Sequence, residues 1–64
     1  MITKKEFNCI RSLVEAENQL LYRLYECERD AEEPQLKEEF QKLAASVNNQ
    51  KKALISALEV QNEQ

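Results

Sequence analysis

Few residues in this chain could do chemistry, and Glu17 is the sharpest of them. It places a carboxylate in a row of aliphatic positions formed by Ile10, Leu13, Leu20 and Leu24. A carboxylate buried alone is strongly unfavourable, so such a group calls for a donor, a cation or a retained proton. Gln50 occupies the matching place in the second half of the chain, and its amide carries two N–H donors. Glu17 and Gln50 together read as a polar core layer that sets register, as buried polar residues do in coiled coils. Two other readings stand beside it. Glu17 can extend along its own stem to water, or it can belong to a ligand or metal site, for which this layer offers few strong ligands.

The cysteines point away from catalysis. Cys9 and Cys27 fall on one expected helix, where eighteen residues at 1.5 Å rise separate them by roughly 27 Å, so they cannot bridge within a subunit. The chain has no histidine and no CxxC pair, so nothing nearby activates a thiolate and no Ser/His/Asp arrangement can form. Cys27 reads as a small core hydrophobe and Cys9 as a boundary residue. The expectation is a non-enzymatic protein with no cofactor and no metal site. A possible nucleic-acid face is the row Lys4, Arg11, Asn18 and Tyr25, which recurs every seven residues and combines cation, amide and aromatic ring. Its plainer reading is a solvated helix face, because Glu15 follows Arg11 and Glu26 and Glu28 follow Arg23.

The elements that must position these groups follow from apolar spacing. Steps of three and four residues keep side chains on one stripe of a helix. The two halves of the chain mirror each other, pairing Ile10 with Ala57, Leu13 with Leu54, Leu20 with Val47, Leu24 with Leu43, Cys27 with Phe40 and Ala31 with Leu36. Mirror-related stripes describe an antiparallel helical hairpin, so the fold class is all-α. Thr3 and Glu6 form a capping box, with Ile2 and Phe7 as the hydrophobic staple. Pro34 suits the first turn of a helix. Helix 1 is expected over about 4–29, the turn over about 30–33 and helix 2 over about 34–60, with residues 61–64 fraying. The 64 residues form one helical-hairpin domain.

A second apolar stripe lies beside the first: Phe7, Val14 and Leu21 on helix 1, and Ala44 and Leu58 on helix 2 with Lys51 between them. Ala53, Ile55 and Val60 add to it. A stripe this wide suits a helix with two neighbours. A single small hairpin buries too little surface to stand alone, and neither disulfide nor metal is on offer. The sequence therefore predicts a homo-oligomer, with a dimer completing a four-helix bundle through Phe7, Val14, Leu21 and Leu58. The net charge of −3 and pI near 4.9 supply no general attraction to nucleic acid or acidic membranes. No apolar run approaches the roughly 18 residues of a membrane span. Lys4 and Lys5 lead into no apolar segment of the kind a signal peptide needs. The expected compartment is the cytoplasm, where both thiols stay reduced.

Two resemblances follow. The segments Leu20–Glu26 and Pro34–Ala44, reading LLYRLYE and PQLKEEFQKLA, resemble a helix pair of the ferritin-like superfamily, closest to rubrerythrin-like and spore-coat-like members. In metal-binding members a glutamate of the first helix and a Glu-x-x-His of the second hold two metals, and Glu17 corresponds to the first. Residues 49–53 contain neither glutamate nor histidine, so the resemblance extends to the fold and not to the two-metal site. The architecture and the Lys4/Arg11/Asn18/Tyr25 row also resemble the RNA-binding Rop hairpin, an analogy of fold. The expected role is a structural or protein-interaction module. The alternatives are a metal-binding half-ferritin-like protein and an RNA-binding Rop-like dimer.

Overall fold

A computed structural model describes residues 2–62, with side chains through Glu59. Fraying was expected over residues 61–64, but the second helix continues through Gln61 and Asn62; the side chain of Val60, for which an apolar contribution was expected, and the residues Glu63 and Gln64 lie outside that description. The described residues form two α-helices and no strand: α1 spans Lys4–Asp30 and α2 spans Pro34–Asn62. They pack along their length as an antiparallel hairpin measuring 47 × 16 × 10 Å.

Local chemistry sets the ends. The Glu6 N–H donates to the Thr3 hydroxyl at 3.0 Å, and the Thr3 N–H donates to the Glu6 carboxylate at 3.1 Å. Two otherwise orphaned donors of α1 are thereby satisfied. The side-chain bond to Thr3, reinforced by the backbone one, holds the Glu6 carboxyl below its ordinary range. At the far end the Ala31 N–H still reaches the Cys27 carbonyl at 2.9 Å, and Ala31 then turns extended at φ −68°, ψ 130°. Helix cannot continue through Glu33, because a residue before proline is driven out of the α region. Pro34 opens α2, and the Glu33 carbonyl accepts its first bond from the Lys37 N–H at 3.0 Å.

The seam corrects the expected register. Leu21, Leu24 and Ala44 are the buried core, with Phe40 and Val47 packed against them. Along the seam the buried and half-buried positions run Ile10, Val14, Glu17, Leu21, Leu24 and Glu28 on α1 and continue to Ala31 just past its end, while half-buried Glu26 lies off this row. On α2 they run Lys37, Phe40, Ala44, Val47, Lys51, Leu54 and Leu58, with half-buried Asn48 beside them. This is a heptad ladder, but every second rung lies one residue later than expected. Leu24 faces the level of Ala44 and not Leu43, and Leu21 replaces Leu20 beside Val47. Leu13, Leu20, Leu36 and Leu43 are 49%, 46%, 46% and 52% exposed. Cys27, expected opposite Phe40, is exposed.

The physical reason is size. Hydrophobicity alone favours the expected ladder, because the observed one carries Glu28, Lys37 and Lys51 on rungs where the expected one has Cys27, Leu36 and Gln50. The observed ladder sets the one-methyl side chain of Ala44 among Leu21, Leu24 and Phe40, and alternation of small with large lets two helices interlock. The expected ladder would have opposed Leu24 to Leu43 and Leu20 to Val47, with no small residue between.

Candidate interaction surface

Beside the seam each helix has two flanking rows, and antiparallel helices turn corresponding rows to the same side. One side carries Arg11, Asn18 and Tyr25 of α1 with Gln41, Asn48 and Ile55 of α2. The other carries Leu13, Leu20 and Cys27 with Leu36, Leu43, Gln50 and Ala57. The hairpin therefore has a polar flank and an apolar flank.

Hydrogen bonds across the seam mark the polar flank. Lys51 Nζ donates to Asn18 Oδ1 at 2.8 Å, and Gln41 Nε2 donates to Glu28 Oε2 at 3.2 Å. Of the row Lys4, Arg11, Asn18 and Tyr25, all four are exposed. Asn18 is tied to Lys51, and this draws a further cation toward that row.

The apolar flank is grooved. At mid-length Leu13, Ala16, Glu17 and Leu20 of α1 and Gln50, Ala53 and Leu54 of α2 enclose an open groove of ≈ 490 Å³. Glu17 and Gln50 do meet on this groove, but the layer they form is not the sealed one expected. Gln50 is exposed, Glu17 is half-buried, and Glu17 Oε1 is itself buried with no hydrogen-bond partner. Lys51, not Gln50, occupies the seam position at the level of Glu17, and its ammonium goes to Asn18. Nearer the turn a second groove of ≈ 500 Å³ is lined by Arg23, Cys27, Leu36 and Phe40 among others.

The residues expected to carry self-association are placed differently. Leu21 is 5% exposed inside the hairpin's own core. Val14 and Leu58 are half-buried along the same seam, and Phe7 alone of the four stays 38% exposed. The difference follows from the register: the ladder expected to face outward is the one that forms the seam. The outer row is Leu13, Leu20, Leu36 and Leu43. The one signal in the sequence that could have found it is Ala44, the smallest residue on either ladder at mid-length of the seam.

Among the described residues no three His, Cys, Asp or Glu side chains gather as a metal would require, and no helix is long and apolar enough to cross a membrane. The ion pairs lie on the surface: Lys42 with Glu38 at 3.8 Å and Glu39 at 3.5 Å, and Arg29 with Asp30 at 3.1 Å. Exposed pairs of this kind add little stability. The fold and its flank define a class, an α-helical hairpin with one open leucine-lined face. Comparison with known proteins finds no matching family model, curated protein or solved structure.

Proposed function

We propose that this chain is a non-catalytic protein-interaction module that self-associates through its apolar flank, two hairpins completing a four-helix bundle. The supporting observation is the row of half-exposed leucines at 13, 20, 36 and 43. Surface area gives it weight. A folded monomer of 7.5 kDa exposes about 4,250 Å² by size scaling, whereas this chain exposes 5239 Å². The excess of about 1,000 Å² matches the roughly 800 Å² each partner buries in a standard interface. Helices in a four-helix bundle need a third apolar row beside the two of a hairpin seam, and the leucine flank supplies it. A cytoplasmic setting, where Cys9 and Cys27 stay reduced, suits such a module.

Sedimentation equilibrium in reducing buffer tests this. The expected result is twice the monomer mass at micromolar concentration, falling to the monomer on dilution or with Leu20→Glu. A wild-type chain that stays monomeric and folded across that range overturns the proposal. The same protein, purified without chelator and analysed for metal, and titrated with structured RNA at two salt concentrations, separates it from the metal-binding and RNA-binding classes.

A further inference from the structure

The leucine flank admits a second hairpin in two ways, with the turns at the same end or at opposite ends. Charge and an unpaired atom choose between them. Between Arg23 and Lys42 the chain carries seven carboxylates against four cations, so its whole net charge of −3 sits at the turn end. Docking with turns together would stack two such ends within about one Debye length, ~8 Å at physiological salt. Docking with turns apart would spread them over the 47 Å of the hairpin.

With turns apart, a two-fold axis perpendicular to the helices sets α1 antiparallel against α1 of the partner. Leu20, the exposed leucine nearest mid-length on α1, then lies close to its own mate, and the small Ala16 leaves room for it. At that register Glu17 of one copy comes level with Arg23 of the other. Glu17 Oε1 is buried without a partner. Arg23 is exposed and borders the same flank, and among the described residues it makes no ion pair.

Resting on the self-association proposed above, we infer that the occupant of the mid-length groove is α1 of a second copy in antiparallel orientation. The partner's Arg23 completes the site by donating to the Glu17 carboxylate. A guanidinium suits this role because it keeps its charge when desolvated and carries several N–H donors on a planar head. The symmetry of the axis repeats the pair, so each interface contains it twice.

The test uses the full chain with Cys9→Ser and Cys27→Ser. Leu20→Cys should form a disulfide-linked dimer on mild oxidation. Leu13→Cys should not, because seven residues from the axis on each copy separates the two thiols by roughly 21 Å. Glu17→Arg and Arg23→Glu should each raise the dimer dissociation constant about tenfold or more, and the double reversal should recover it to within about threefold. Arg23→Gln, an exposed change that leaves the seam intact, should weaken the dimer without loss of helicity by circular dichroism. A dimer that crosslinks through Leu13→Cys, or whose two reversals simply add, overturns the antiparallel docking while leaving self-association standing. A chain that never dimerises overturns both.

Discussion

Lys51 donates to Asn18 across the seam at 2.8 Å, although the carboxylate next to Asn18 in sequence, Glu17, has a buried oxygen with no partner. Half-buried Lys51 thus turns its charge toward the polar flank and leaves Glu17 to the apolar one. The hairpin is asymmetric as a result: hydrogen bonds close one flank and an open groove marks the other. Asn18→Ala should cost about 0.5–1.5 kcal/mol at most, since a bond between solvated groups lies at the low end of that range. Urea unfolding of the variant beside wild type reads it. No change would mean that Lys51 is held by packing of its stem alone.

The observed seam separates neighbouring leucines. Leu24→Ala should cost about 2–5 kcal/mol, the range for truncating a buried leucine, because Leu24 is 9% exposed in the core. Tyr22→Ala, at a side chain 67% exposed, should cost far less. Urea denaturation at one protein concentration compares them, and similar losses would contradict the helical phase described above.

Ala44 gives the complementary test. Enlarging a packed core position costs about 1–3 kcal/mol, so Ala44→Leu should destabilise the hairpin. Leu43→Ala, one residue earlier and outside the seam, should leave the isolated hairpin almost unchanged and weaken only its association. Unfolding measured at dilute and concentrated protein distinguishes the two effects. An Ala44→Leu chain as stable as wild type would restore the alternative ladder.

Self-association also makes stability depend on concentration. If dimer formation is linked to folding, the thermal midpoint should rise by a few degrees for each tenfold increase in protein. Calorimetry over a hundredfold range of concentration reads this directly, and a constant midpoint would separate folding from association.

The capping box carries a pH signature. Bonds to Thr3 depress the Glu6 carboxyl in the folded chain. A depressed acid contributes its stabilisation in full above the unfolded carboxylate value, about 4.3, and loses it as pH falls through the lower folded value. Wild type should therefore gain over Glu6→Gln above about pH 4.5, with the two curves converging in stronger acid. A difference that stays constant with pH would show that the charged form of Glu6 has no preferred partner. Thr3→Ala, which removes the acceptor for the Glu6 N–H, should cost about 1 kcal/mol and shorten α1 at its first turn.

Much of the hairpin is written in local chemistry. Thr3 with Glu6 starts α1, Pro34 starts α2, and the absence of glycine leaves nothing to break either helix between those points. Each is a signal of backbone geometry within a few residues, so the sequence alone determines two antiparallel helices and the approximate level at which Glu17 sits. Rotation of each helix about its axis is another matter. Positions 10, 17, 24 and 31 belong to both possible ladders, and the choice between 13/20 and 14/21, or between 36/43 and 37/44, turns a helix by about half of the 100° step between residues, roughly 50°. On α1 both choices bury leucine, but on α2 the hydrophobic pattern favours Leu36 and Leu43, and the structure buries Ala44 and half-buries Lys37 instead. Only packing in three dimensions, where Ala44 lets Leu21, Leu24 and Phe40 close around it, decided which leucines line the hairpin's own core and which face outward.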